Sequence, residues 1–153
     1  MREHTERTFE VEASPAKVWE LLADLRKLVA YTEPRTVVRM DGKEAPIRVG
    51  TKFHLTTKSG LKSDFTVLRY IPSKEVNYRI DLGVWDGGVS IMRLEPVADR
   101  TKVTFLTPCV RWIGAWGIVQ RATWPLVLME AKKTCDRFED AVRRHVAGEP
   151  PTT

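Results

Sequence analysis

No apolar run in this sequence approaches the 18 or so residues that a membrane-spanning helix needs, so no integral membrane contact is expected. The first residues, Met1 to Arg7, alternate charges and hold no apolar signal core, which leaves the cytoplasm as the expected compartment. Cysteine is scarce. Cys109 and Cys135 lie far apart in otherwise apolar stretches, the pattern of two buried free thiols and not of a disulfide. Histidine is nearly as rare, and His4, His54 and His145 share no ligand spacing with the cysteines, so no metal is expected. A block of one charge is also missing. The 25 Lys and Arg residues are interleaved with 20 acidic ones, and a net charge of +5 spread in this way does not make a nucleic-acid footprint. Finally, there is no nucleophile motif, phosphate loop or dinucleotide fingerprint, so hydrolase, kinase and dehydrogenase readings fail and no cofactor is expected.

What is present is a chain of 153 residues with 42% hydrophobic and 29% charged residues, enough for one well-buried domain and too little for two. Arg7 to Ala13 alternates polar and apolar residues, as a strand with one buried face does. Ser14-Pro15 then offers a cap and a first-turn proline, and Val18, Trp19, Leu21, Leu22 and Leu25 form a helical stripe. A second short helix, Arg26 to Tyr31, must stop before Pro34. From Thr36 to Pro108 the composition turns to Val, Ile, Thr, Phe and Tyr, and six strands are predicted near residues 35–40, 51–57, 62–70, 75–83, 88–96 and 102–107. Short turn signals separate them: Asp41-Gly42, Ser59-Gly60, Pro72-Ser73, Asp86-Gly87-Gly88 and Ala98-Asp99-Arg100, which together predict an antiparallel meander. The last third switches period again. Trp124, Val127, Leu128, Ala131, Cys135, Phe138 and Val142 fall three and four apart, a long amphipathic helix from Trp124 to about His145 with Pro125 in its first turn. The domain is expected over residues 1–147, with 148–153 a disordered tail.

The element order predicts an α+β fold: a curved, seven-stranded antiparallel sheet wrapped around the long C-terminal helix, with two short helices after the first strand. Curvature leaves space between the layers, which is either core or a pocket for a small apolar ligand.

Phe9-Glu10-Val11 followed by SPAKVWELLADL, VGTKF at Val49 to Phe53, the spacing from Pro72 to Tyr78, LEPVADRTKVTF at Leu94 to Phe105 and the closing helix carry a resemblance. Across nearly the whole chain, the sequence resembles the START-like superfamily, also called SRPBCC, of polyketide cyclases and dehydrases, lipid-transfer domains and plant pathogenesis-related proteins. The resemblance implies a helix-grip fold with a hydrophobic cavity between sheet and helix, often without metal or organic cofactor.

Strand alternation selects the residues of the cavity face: Phe53 and Leu55, Phe65 and Val67, Val76, Tyr78, Ile80 and Leu82, Val103 and Phe105. Leu128 joins them from the helix. His54, out of phase with Phe53 and Leu55, is read as a surface histidine. Both faces of the strand near 88–96 hold apolar residues, which leaves its register open and Arg93 either in the cavity or on the surface. Ser63, Arg69 and Thr107 share parity with inward residues and, with Arg93, are the candidates for orienting a ligand oxygen or moving a proton. Asp64 and Asp81 fall on the opposite parity. Trp112, Trp116 and Trp124, in a run that also holds Gly114 and Gly117, form a candidate aromatic lid, the other reading being a short packed helix.

The expected partner is a hydrophobic small molecule, polyketide-like or otherwise polycyclic or lipid, bound by a monomer or homodimer. Catalysis would take the form of cyclisation, aromatisation or dehydration, by holding a reactive chain folded away from water. The other readings are a non-catalytic carrier and a chaperone-stimulating interaction domain, which calls for a filled core in place of a void.

Overall fold

The polar and apolar alternation of the first segment becomes β1 (His4–Val11), whose Phe9 and Val11 are buried while Thr8 and Glu10 face out. The computed structural model describes residues 4–83, 85–109, 111–112 and 117–151. Ser14 caps α1 (Pro15–Leu22) by accepting from the Lys17 amide, and Asp24 caps α2 (Leu25–Thr32) by accepting from the Arg26 amide. Each cap satisfies an amide that the first helical turn leaves without a partner. The meander follows as β2 (Val37–Met40), β3 (Lys52–Thr56), β4 (Lys62–Ile71), β5 (Glu75–Asp81), β6 (Trp85–Val97) and β7 (Arg100–Pro108). A two-residue strand, β8 (Arg111–Trp112), precedes α3 (Gly117–Val146).

All pairings are antiparallel, in the order β1-β7-β6-β5-β4-β3-β2, with β8 paired to β6 off that path. The seven-stranded curved sheet and long terminal helix expected from the sequence are therefore present, with β8 as an addition. Because β1 and β2 lie at opposite edges, α1 and α2 link the two sides of the sheet.

Two bulges give the sheet part of its shape. In β4 the register slips between Val67 and Arg69, leaving Leu68 unopposed. In β6, Gly87 and Gly88 together oppose the single residue Ile80. An extra residue in one strand bends it and sharpens its twist, which helps the sheet curl around a helix. Both glycines are required by their surroundings: a Cβ on Gly87 would sit 2.6 Å from the Ile80 side chain, and Gly88 has φ +70° with Pro108 where its Cβ would go. The Asp86-Gly87-Gly88 segment, expected as a hairpin turn, is thus a bulge inside β6.

The helix differs from expectation at its start. It begins at Gly117, which puts Pro125 inside it and not in its first turn. The buried stripe runs through Ala131, Cys135, Phe138, Ala141 and Val142. Phe138 stacks on Phe105 at 4.1 Å between centroids and meets Phe9 edge-on at 6.1 Å, joining α3 to β7 and β1. Polar contacts reinforce the same seam. Arg7 of β1 donates to Asp136 and Glu139 of α3, and Arg143 also reaches Glu139. Beyond the helix, the Tyr31 hydroxyl donates to the Glu149 carbonyl and Arg144 to the Pro150 carbonyl, so the first residues of the expected tail are tied to the body.

Candidate functional site

Between the concave face of the sheet and α3 lie two adjoining chambers. The larger, about 500 Å³, is bounded by Ile80, Leu82 and Gly87, by Thr107 and Pro108 of β7 with Cys109 beyond them, and by Thr123, Leu126, Val127, Glu130, Ala131 and Thr134 of α3. The smaller, about 180 Å³, lies deeper against α2 and is walled by Leu25, Leu28, Val29, Leu55, Phe65, Met92, Phe105 and Phe138, with Ser90 among them. Ile80, Thr107 and Thr134 border both chambers. A volume of several hundred Å³ with mainly apolar walls is in the range small-molecule sites occupy.

The charged residues around these chambers are held in pairs. Arg137 donates to Glu33 at 2.7 Å, bridging α3 and α2 beside the smaller chamber, and Lys133 donates to Glu130 at 2.8 Å. Most hydroxyls are also engaged: Thr32, Thr123 and Thr134 each donate to a carbonyl of their own helix. Tyr78 donates to the Leu22 carbonyl at 2.9 Å, and burial raises its phenol pKa, so it stays neutral. Ser90 and Thr107 differ, since their hydroxyls make no hydrogen bond among the described residues although the residues are 4% and 7% exposed.

Of the candidate ligand contacts, Leu55, Phe65, Ile80, Leu82 and Phe105 line the chambers. Phe53, Val67 and Tyr78 face the same way but are fully buried in the core and border neither chamber, Tyr78 being fixed against α1 and edge-on to Phe53. Trp124 and Leu128 are half-buried on α3, and neither is part of the two walls; Leu126 and Val127 take that place. Trp112 pairs through its backbone with Trp85, and Trp116 lies outside the described residues, so the lid reading goes no further.

Among the polar candidates, Thr107 is in the cavity wall. Ser63 is half-buried opposite Leu55 and borders neither chamber. Arg69 is a correction: the Leu68 bulge reverses the alternation, so Arg69 points out and pairs with Glu75 at 3.3 Å while Tyr70 turns in against Trp19. Arg93 meets the same Glu75 from β6 at 3.5 Å. The open register of β6 is settled by burial, with Ser90, Met92 and Leu94 inward and Arg93 exposed. Sequence reasoning missed Ser90 and Thr134. Ser90 shares parity with Met92 and Leu94, a signal readable once the register is known.

His54 lies on the outer face, as its parity required. It bridges three segments, with Nδ1 at 2.7 Å from Asp64 and Nε2 at 2.9 Å from Asp41, beside Arg39 and Lys62. The hydrogen bond to Asp64, then that to Asp41, raises its pKa above 6.5. A raised folded-state value means the imidazolium's contribution is complete below the unfolded pKa and fades as pH climbs through the folded one. The difference in melting temperature between wild type and His54→Ala is therefore expected to be largest near about pH 6 and to shrink towards about pH 9. A difference that holds constant or grows over that range would rule out the charged bridge. Both thiols are buried, and burial raises the Cys135 pKa.

A curved antiparallel sheet gripping a terminal helix, with an apolar cavity between them, defines the helix-grip class of START-like proteins. The chain belongs to the polyketide cyclase / dehydrase and lipid transport family, whose model matches residues 2–143. Among curated proteins, none matches the sequence significantly. Solved structures show the same fold at low identity. The chain is similar to Ara h 8.0201 (TM-score 0.69, 14% identity, covering 95% of this chain and 98% of that one). It is similar to the Aha1 dimer from Colwellia psychrerythraea (TM-score 0.54, 21% identity, 88% and 96%). It also resembles DynU16, a protein of the dynemicin biosynthetic locus (TM-score 0.62, 20% identity, 100% of this chain and 51% of that longer one). No helix of the described residues is long and apolar enough to cross a membrane.

Proposed function

We propose that this protein binds a hydrophobic, polycyclic or polyketide-like small molecule in the space between sheet and helix. The observation that carries this reading is the larger chamber, about 500 Å³ and walled mainly by apolar side chains of β5, β7 and α3. Burying a ligand's apolar surface there is favourable by roughly 25 cal/mol per Å². The family match supports the same class of ligand. Binding and carriage suit the walls better than acid–base catalysis, because the charged groups beside them are paired at their rims. Any cyclisation or dehydration would come from holding the bound chain folded and dry. An interaction domain of the Aha1 kind shares the fold, but the filled interior expected of it is at odds with the chambers.

Native mass spectrometry against a panel of aromatic polyketides and lipids is the direct test. One ligand per chain is expected from the aromatic polyketides, and the absence of a mass shift with every member of the panel would refute the proposal.

A further inference from the structure

We infer that the ligand is neutral and presents a carbonyl or hydroxyl oxygen to Ser90 and Thr107 at the inner end of the cavity. This rests on the binding reading above and adds the polarity of the ligand to it.

The argument is one of elimination among the polar groups of the cavity. Ser90 and Thr107 are both more than nine-tenths buried, at 4% and 7% exposed, and both border the smaller chamber. Thr32, Thr123 and Thr134 spend their hydroxyls on carbonyls of the protein, whereas those of Ser90 and Thr107 have no partner among the described residues. Their position explains how two hydroxyls can meet one oxygen. The β6–β7 ladder pairs Met92 with Phe105 and ends at Ile91 and Leu106, so Ser90 and Thr107 are the next residues of the two neighbouring strands, and both border the smaller chamber. A hydroxyl can donate or accept, so two of them on adjacent strands at one chamber wall can serve a single ligand oxygen, both donating to it or one donating and the other accepting.

Charge sets the second half of the inference. The cation nearest the smaller chamber, Arg137, is bound to Glu33, and Lys133 near the larger is bound to Glu130. A carboxylate driven to the inner end would lose its hydration with no free counter-ion among the described residues of the walls to replace it. A ketone, phenol or alcohol needs only the two hydroxyls.

Three fluorescent probes with one tricyclic body separate these possibilities: anthracene, 2-hydroxyanthracene and anthracene-2-carboxylate. In fluorescence titrations of the wild-type protein, 2-hydroxyanthracene is expected to bind about tenfold more tightly than anthracene, and the carboxylate most weakly. In the Ser90→Ala/Thr107→Val double variant, the tenfold preference for 2-hydroxyanthracene over anthracene should disappear. Thr107→Ser, which keeps the hydroxyl, should retain the preference. A preference that survives the double variant, or a carboxylate that binds best, overturns the inference and leaves the cavity reading intact. If anthracene binds but 2-hydroxyanthracene binds no better, the inference is equally wrong. If none of the three binds the wild type, the cavity reading itself falls and this inference with it. A cooperative thermal melt of the double variant followed by circular dichroism shows that it has folded.

Discussion

Replacing Ala131 with phenylalanine is expected to weaken binding of 2-hydroxyanthracene by at least about tenfold while leaving the melting temperature unchanged or raised. Ala131 is 7% exposed on the inner face of α3 and forms part of the larger chamber's wall. A phenyl ring there has empty volume to enter, so it occupies the ligand's space without the strain of overpacking a filled core. The control is Met129→Phe on the same helix, because Met129 is 46% exposed and the chamber does not include it. Fluorescence titration of the two variants side by side makes the comparison. Equal loss in both, or loss in neither, would separate ligand binding from this chamber.

Phe138→Ala is expected to cost about 3–5 kcal/mol, read as a lower urea midpoint at an unchanged slope. Phe138 is 2% exposed and is the point where the helix is fixed to the sheet, stacked on Phe105 of β7 and edge-on to Phe9 of β1. Removing the ring takes away its burial and leaves a void that rigid neighbours on two strands close poorly. Against a typical domain stability of about 5–15 kcal/mol that loss is large. Phe138 also walls the smaller chamber, so part of the new space would join it. A change under about 1 kcal/mol would mean that the aromatic seam does not hold the helix in place.

The fold was legible because its signals are changes of period. Alternation at Phe9 and Val11, the capped stripe after Ser14, repeated hairpin signals and a return to helical spacing at Ala131, Cys135 and Phe138 each point to one element, and their order leaves few topologies. Side-chain direction was legible for as long as the alternation was unbroken. It held for Leu55, Ile80, Phe105 and Thr107, and for His54 on the outer face. It failed at Arg69, since one unopposed residue, Leu68, reverses the phase and nothing in the apolar pattern marks the insertion. Asp86-Gly87-Gly88 misled for a related reason: glycines that permit a turn also permit a bulge, and the choice depends on Ile80 across the ladder. Ser90 was hidden because apolar residues occupy both faces of β6, so only its pairing with β7 fixes which face is buried. Separating cavity from core among Phe53, Phe65 and Tyr78 needed the positions of α1 and α2, which no strand pattern contains.

The most direct measurement is methyl NMR of isoleucine-labelled protein titrated with 2-hydroxyanthracene. Ile80 borders both chambers, whereas Ile71 and Ile91 lie outside their walls. Binding between sheet and helix should shift the Ile80 methyl signals strongly and leave those of Ile71 and Ile91 near their free positions. Saturable binding that shifts Ile71 or Ile91 and leaves Ile80 unmoved would place the ligand elsewhere and contradict the cavity as the binding site.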